Sequence, residues 1–370
     1  MNIVYDHQIF ASQVYGGVSR YFTELCSRLS AIEGVNVKVL APLYVNEYLR
    51  YLNKSIVMGI HVPRIRKTAW LLRRLNNIIC HFLPNSYQAD IVHHTHYYNS
   101  HLPKQKHTKT LVTVHDMIYE KFPQYFSDSV RMAIKKKQAV EHADHVICIS
   151  ETTRRDLIEI TGINPDKVSV VYLGIKLHDQ ISEPEEKYNV INGAFILYTG
   201  ARTYYKNFGR LLKAYASVQN LYLNYKLVCF GGGPFISSEL HLLRRLGMGK
   251  ERVIWLKGSD AMLAKLYRNA SVFVYPSLYE GFGFPPLEAM SYGCPVVCST
   301  GGAIPEIVGD AGKYFDPYDE NSIASAILDV VSNTKLAEKL SLQGREHAAR
   351  FTWDVCADRI YKVYKSLMNE

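Results

Sequence analysis

No stretch of the 370-residue chain approaches the ~20 consecutive apolar residues that a membrane-spanning helix requires. A leader is not expected either. Met1-Asn2-Ile3-Val4-Tyr5-Asp6 lacks a basic n-region and reads as a first β-strand. Cysteine is sparse and unpatterned: seven residues, an odd number, with no C-x2-C pair. That spacing writes neither a disulfide framework nor a zinc site, and it points to a reducing cytoplasmic compartment. Cys294 and Cys298 fall in an apolar strand pattern and are expected to pack. There is no low-complexity segment and no internal repeat. What remains, 48% hydrophobic and 21% charged residues, is the composition of a globular protein, and the length calls for two domains.

Acid is scarce in two stretches. Residues 51–150 hold 14 Lys/Arg against 6 Asp/Glu, and residues 201–250 hold 8 against 1, within a chain of net charge +9. Such blocks call for anionic partners. The second block contains candidate phosphate ligands. The first suits an anionic membrane surface or a nucleic acid. The nucleic-acid reading rests only on the pI of about 9.0 and would need cations interleaved with aromatics along a groove, so no nucleic-acid partner is expected.

Strand-like runs at Asn2–Tyr5, Val37–Ala41, Asp90–His93, Thr110–His115, Val146–Ser150 and Ser169–Tyr172 alternate with helical patterns such as Val18–Leu29 and Ser129–His142. The alternation restarts at Ala194–Gly200, Lys226–Gly231, Val253–Lys257, Ser271–Pro276 and Pro295–Cys298. Between the two series lies an acidic, Pro-containing stretch, Asp179–Lys187, which reads as a linker. The pattern implies an α/β fold with two doubly wound, mostly parallel domains facing each other across a ligand cleft, 1–180 and 181–350. Residues 351–370 form an amphipathic terminal helix with an apolar stripe at Val355, Ile360 and Val363.

The richest segment is Glu280-Gly281-Phe282-Gly283-Phe284-Pro285-Pro286-Leu287-Glu288. It follows a strand and opens a helix, so it should lie at the carboxyl end of a parallel strand, where ligands bind. Gly281 and Gly283 permit close backbone approach to a ligand. Two carboxylates with no cation beside them would repel a phosphate, so they are expected to accept hydrogen bonds from neutral hydroxyls. A molecule with both phosphates and hydroxyls is a sugar nucleotide. In Gly200-Ala201-Arg202-Thr203-Tyr204-Tyr205-Lys206-Asn207, two cations flank a turn before a helix, positioned for a diphosphate. Gly16 and Gly17 sit between the first strand and the first helix, and His115 with Asp116 ends another strand. His93 and His94, near His96, form a second cluster without a sensible third metal ligand, leaving an acceptor-side or a structural role. Ser150 reads as a helix cap.

Glu280-x7-Glu288 followed by Ala289-Met290-Ser291-Tyr292-Gly293-Cys294-Pro295-Val296-Val297 resembles the signature of the retaining GT-B glycosyltransferases of family four, mannosyltransferase-like members included. The resemblance spans nearly the whole chain and is densest from Ala194 to Gly309. It implies a metal-independent transfer of a hexose, with mannose from GDP-mannose favoured, from a nucleoside diphosphate sugar to a hydroxyl of a glycan or lipid-linked acceptor in surface polysaccharide synthesis. The donor sugar nucleotide is then a substrate, with no cofactor and no metal, and no D-x-D motif is present. The resemblance assigns Glu280, His115, Arg202 and Lys206 to the chemistry. It assigns Gly16, Gly17, Gly231, Lys257, Gly258, Gly281, Phe282, Gly283, Phe284 and Glu288, again with Arg202, Lys206 and Glu280, to donor binding. It also implies that the terminal helix crosses back to the first domain. A sugar-nucleotide epimerase on the same plan is the competing enzyme class. Residues 64–75, with five cations around Trp70, Leu71, Leu72 and Leu75, are expected to form a basic interfacial helix at the inner face of the membrane, aided by Lys135-Lys136-Lys137.

Overall fold

The computed structural model describes residues 1–65, 68–82, 88–98, 107–175 and 191–369. It divides into two compact units, Met1–Gly174 with Thr352–Glu370, and Ile175–Phe351. The expected linker and the boundary placed at residue 180 lie outside the described residues.

The first unit is built on β1 (Asn2–Asp6), β2 (Asn36–Tyr44), β3 (Val57–His61), β4 (Ile91–His94), β5 (Lys109–Val114), β6 (His145–Cys148) and β7 (Val168–Val170), in the order β3-β2-β1-β4-β5-β6-β7. Every pairing is parallel. The second unit carries β8 (Phe195–Thr199), β9 (Lys226–Phe230), β10 (Val253–Leu256), β11 (Val272–Tyr275), β12 (Val296–Ser299) and β13 (Gly312–Phe315), in the order β10-β9-β8-β11-β12-β13 and again all parallel. In both sheets the order reverses beside the first strand, between β1 and β4 and between β8 and β11. That switch point is where doubly wound sheets open a crevice for ligands at the strand carboxyl ends.

The strands β8 and β11 are almost wholly apolar because both faces of a parallel sheet are covered. All five residues of β8 and all four of β11 are buried. Ile196, Leu211, Leu227, Val272 and Ile327 meet in the core of the second unit. All seven cysteines are buried free thiols, Cys294 and Cys298 among them.

Two strands have no counterpart in the sequence reading. β3 is an edge strand with most of its residues partly or fully exposed, and a Cβ on Gly59 would lie 1.7 Å from the carbonyl oxygen of Ala41. Its glycine therefore marks a close backbone approach where the register to β2 shifts, not a loop. β13, Gly-Lys-Tyr-Phe, is too short and mixed to show alternation.

The terminal helix Trp353–Asn369 belongs to the first unit. Its buried stripe is Trp353, Cys356, Ala357, Ile360, Tyr364 and Leu367. Val355 is exposed, contrary to expectation. The reason is Tyr364, whose hydroxyl lies 2.6 Å from His93 Nδ1 and 3.0 Å from the Tyr5 hydroxyl and thereby sets the helix rotation. A count of aliphatic residues alone misses a polar anchor of that kind.

Candidate active site

The loops that leave β8 and β11 flank the switch point of the second sheet, and they are joined to each other. Gly200 turns the chain out of β8 with φ +101°. A short 3-10 turn, Tyr204–Lys206, leads to Asn207, which is buried and adopts a left-handed conformation at φ 60°. The Asn207 amide donates to the carbonyl oxygens of Pro276 (3.1 Å) and Pro317 (2.7 Å). The Leu278 N–H donates to the Tyr205 carbonyl at 2.7 Å. These bonds fix the start of the helix Phe208–Ser217 against the loop that carries Glu280.

Across that join Lys206 Nζ lies 2.6 Å from Glu280 Oε1 and 3.3 Å from the Tyr275 hydroxyl. Burial opposes the charge on Lys206, but the Glu280 carboxylate outweighs it and holds the ammonium's pKa well above its ordinary value. The Tyr275 hydroxyl is driven up, first by burial and then by Glu280. The expectation of two acids without a cation is therefore corrected for Glu280, whose partner is 74 residues away in sequence. The pair is preorganised. An ammonium has three donors, and two of Lys206's are used among the described residues.

Glu280 itself is seated by backbone. Its carbonyl accepts the Ala303 N–H at 2.9 Å, and a Cβ on Gly302 would lie 2.4 Å from that oxygen. Gly281, Phe282 and Gly283 follow as buried loop. Gly283, at φ 122°, starts the helix Phe284–Ser291. Phe282 packs edge-on to Phe284 with centroids 5.5 Å apart. Glu288, one turn into that helix, is partly buried. The Tyr267 hydroxyl is raised well above its ordinary pKa by burial and then by the Glu288 charge, and it lies 3.4 Å from Thr199 Oγ1 at the end of β8.

Arg202 takes a different position. Its Nε donates to Glu239 Oε1 at 2.8 Å, Nη1 to the Gly231 carbonyl at 3.2 Å, and Nη2 to the carbonyls of Gly233 (2.8 Å) and Pro234 (2.9 Å). Gly231, Gly232 and Gly233 all have positive φ, and a Cβ on Gly232 would lie 2.3 Å from the Gly200 carbonyl oxygen. The guanidinium thus clamps the glycine turn after β9 to the loop after β8. Binding a diphosphate would require it to exchange some of these acceptors. Lys257 and Gly258 are exposed past the end of the edge strand β10, with β9 between them and β8.

In the first unit Gly16 precedes the helix Gly17–Leu29, and Gln13 Oε1 already accepts the Ser19 N–H there at 3.3 Å. Burial, reinforced by Lys136, lowers the His115 imidazole to about 4, and its Nε2 has no hydrogen-bond partner among the described residues. Asp116 Oδ1 accepts the Ile118 N–H at 3.1 Å and so orients the turn after β5. His93 is structural, bonded to Thr113 Oγ1 (2.8 Å) and Tyr364. His94 Nδ1 lies 2.8 Å from Asp6 Oδ2. Ser150 Oγ accepts the Thr153 N–H as a cap. Lys136 is buried, pairs with Glu120 at 2.9 Å and donates to the Asp116 carbonyl, so the expected triple-lysine surface cluster is corrected to Lys135 and Lys137.

The helix Ala69–Phe82 is seated by polar contacts. Asn76 exchanges two 2.8 Å bonds with the backbone of Leu43, where β2 shifts register. Its apolar residues Trp70, Leu71, Leu75, Ile78, Ile79 and Phe82 are exposed. Arg74 is exposed beside them, whereas Arg73 turns inward to Ser12, a departure from the expected face. Arg66 and Lys67 lie outside the described residues. No helix among the described residues is long and apolar enough to cross a membrane.

The sequence reading did not single out Tyr275, Glu239, Tyr267 or Gly302. None has a local signal, since each acts on a residue many positions away. Asn207 was legible as the end of the basic turn, but not as its anchor.

Comparison with known proteins agrees with this layout. The family described as "Glycosyltransferase Family 4" matches residues 15–179, and "Glycosyl transferases group 1" matches residues 180–347. The chain is 28% identical to the O-antigen chain mannosyltransferase B of Escherichia coli, over 95% of this chain and 96% of that protein. The fold is similar to that of sucrose-phosphate synthase from Thermosynechococcus elongatus, with a TM-score of 0.77, 20% identity and coverage of 100% and 99% of the two chains. It is also similar to Anabaena HepE solved with UDP-glucose, with a TM-score of 0.72, 19% identity and coverage of 99% and 100%. Two parallel-sheet, Rossmann-like units of this order define the GT-B architecture. The chain belongs to the family-four glycosyltransferases and is an enzyme of that class.

Proposed function

We propose that the enzyme transfers a hexose, with mannose from GDP-mannose favoured, to a hydroxyl of a glycan or lipid-linked acceptor in surface polysaccharide synthesis, with retention and without a metal. The observation that carries this reading is the Lys206–Glu280 pair at the β8/β11 switch point. Departure of the diphosphate is the costly event in such a transfer, and a fixed cation aimed at the developing charge is the term that lowers it. Lys206 supplies that cation, and Glu280 holds it while its second oxygen accepts from sugar hydroxyls. Arg202 assists after exchanging carbonyl acceptors for phosphate oxygens. Glu288 takes the ribose hydroxyls. The acceptor hydroxyl approaches on the face the diphosphate leaves and gives its proton to a β-phosphate oxygen. His115 belongs to the other unit, and its assignment to the donor sugar rests on the sequence resemblance. The mannose preference is supported by the E. coli mannosyltransferase, matched over nearly its full length.

A panel of nucleotide sugars tests this by thermal stabilisation and slow hydrolysis, with products followed by NMR. GDP-mannose is expected to stabilise most and to release mannose of retained configuration. Stabilisation by a UDP-sugar instead would overturn the donor, an epimerised nucleotide sugar would overturn the reaction class, and loss of activity in EDTA would overturn metal independence.

The outward apolar face of the helix Ala69–Phe82, flanked by Arg64 and Arg74, supports reversible attachment to an anionic bilayer. Each cation near such a surface contributes about 1 kcal/mol. Co-sedimentation with vesicles should require anionic lipid and weaken with salt, and failure to bind at low salt would exclude this role.

A further inference from the structure

Three cations of the first unit, Arg73, Arg131 and Lys135, gather close enough for their charges to act on one another. The Arg73 guanidinium carbon and Lys135 Nζ each lie 4.2 Å from the centroid of the Tyr98 ring. Arg131, one turn before Lys135, adds to the repulsion felt by both, beyond the larger effect of burial, so both are depressed from their ordinary pKa. Asp128, partly buried, lies 3.4 Å from Arg131. Arg73 has one hydrogen bond, to Ser12 Oγ at 2.9 Å, leaving most of a five-donor fork unused among the described residues.

The platform beneath them is held in place. The Tyr98 N–H donates to Gln8 Oε1 at 2.7 Å, its hydroxyl reaches Met132 Sδ, and the His96 ring stacks on it at 4.8 Å and 12°. His96 Nδ1 is buried and has no hydrogen-bond partner among the described residues. Like charges fixed around one ring cost free energy unless an anion joins them. A depression of about 670 Å³ adjoins the cluster, lined by Val130, Ile134, Arg131 and Lys135 together with Asp128, Ser127 and Gln138. Val130 and Ile134 are exposed at 70% and 53%. Arg73 also sits on the helix whose apolar face points outward. Cationic on one side and apolar on the other, this surface has the chemistry of an amphiphile's complement.

We propose that Arg73 and Lys135 beside Tyr98, together with the neighbouring Arg131, bind the phosphate of a phosphate ester of a long-chain alcohol, whose hydrocarbon lies on Val130 and Ile134. The inference deepens the lipid-linked acceptor reading above and rests on it. The site would hold the phosphorylated end of the acceptor.

The test uses the full-length enzyme and three probes below any micelle concentration: decyl phosphate, decan-1-ol and inorganic phosphate, titrated by calorimetry. Decyl phosphate should bind saturably, at least about tenfold tighter than either other probe, since charge-assisted contacts and apolar burial act together. Arg73→Gln with Lys135→Gln should weaken it about tenfold or more, and the exposed Arg131→Gln should weaken it without any risk to folding. Val130→Ser with Ile134→Ser should weaken decyl phosphate but leave inorganic phosphate unchanged. Inorganic phosphate binding as tightly as decyl phosphate would show a free-anion site and overturn the lipid assignment. Decan-1-ol binding as tightly, or full affinity in the cation variants, would overturn the phosphate site. The donor reading fails separately, if the unaltered enzyme binds no nucleotide sugar.

Discussion

The switch points of the two sheets are built from the same topology and use their polar residues in opposite ways. After β8 and β11, charge is paired across the switch: Lys206 with Glu280, and Asn207 tying the two loops together. After β1 and β4, the polar groups are absorbed by architecture. Asp6 accepts from Thr95 Oγ1 and the Thr95 N–H and meets His94, while His93 bonds the terminal helix. Beside it, Arg73 and Lys135 flank the Tyr98 ring without an ion-pair partner among the described residues. One switch point is a prepared ionic site with its counter-charge in place. The other is a rigid frame with a positive surface beside it. Shared strand order therefore determines where a site can form but not which charges it carries.

The largest expected effect breaks the second switch point. Lys206→Ala should lower turnover by about two or more orders of magnitude, through loss of leaving-group stabilisation, and should also lower the melting temperature, because it leaves the Glu280 carboxylate without its ion-pair partner. Arg202→Ala should lower turnover and the melting temperature together, because it also removes the clamp on Gly231–Pro234 and leaves Glu239 without its partner. Steady-state kinetics beside calorimetric melting checks both, and near-normal turnover by the two folded variants would contradict their roles at the leaving group.

A smaller effect sharpens the roles of the two carboxylates. Glu280→Gln should impair sugar transfer more than nucleotide affinity, whereas Glu288→Gln should weaken binding of the free nucleoside diphosphate. Calorimetry with the nucleotide alone checks this, and it fails if both variants change both quantities alike.

The mildest expectation concerns acid stability of the first unit. Burial holds His93 to about 3, and His96 and His115 to about 4, below the ordinary 6.5. The unfolded chain therefore binds more protons than the folded one as pH falls from 6.5 to about 4, and stability present above 6.5 is lost through that window. Amide exchange of the first unit should accelerate across that interval. A flat profile would mean these imidazoles are not held neutral.

How much of this was legible follows from the range of each interaction. β8 and β11 are readable because continuous apolar runs bounded by glycine or proline mark buried parallel strands. Lys206 and Glu280 are each readable from their own segments, but their pairing is not, because only the adjacency of β8 and β11 brings them together. Arg202 looks free in sequence and is engaged in space, since Glu239 lies 37 residues on. The helix Ala69–Phe82 shows its amphipathic pattern plainly, yet which face packs was decided by Asn76 mending the register shift in β2. Helical periodicity says that two faces differ. It does not say which one is buried.

The account rests on Lys206 and Glu280 acting as one unit on the departing diphosphate, and a double-mutant cycle on donor hydrolysis measures that directly. Lys206→Gln, Glu280→Gln and the double variant would be compared by kcat/KM for the nucleotide sugar. A unit predicts non-additive losses, the double variant falling within about tenfold of the worse single one. Losses that multiply, or single variants close to the unaltered enzyme, would contradict it.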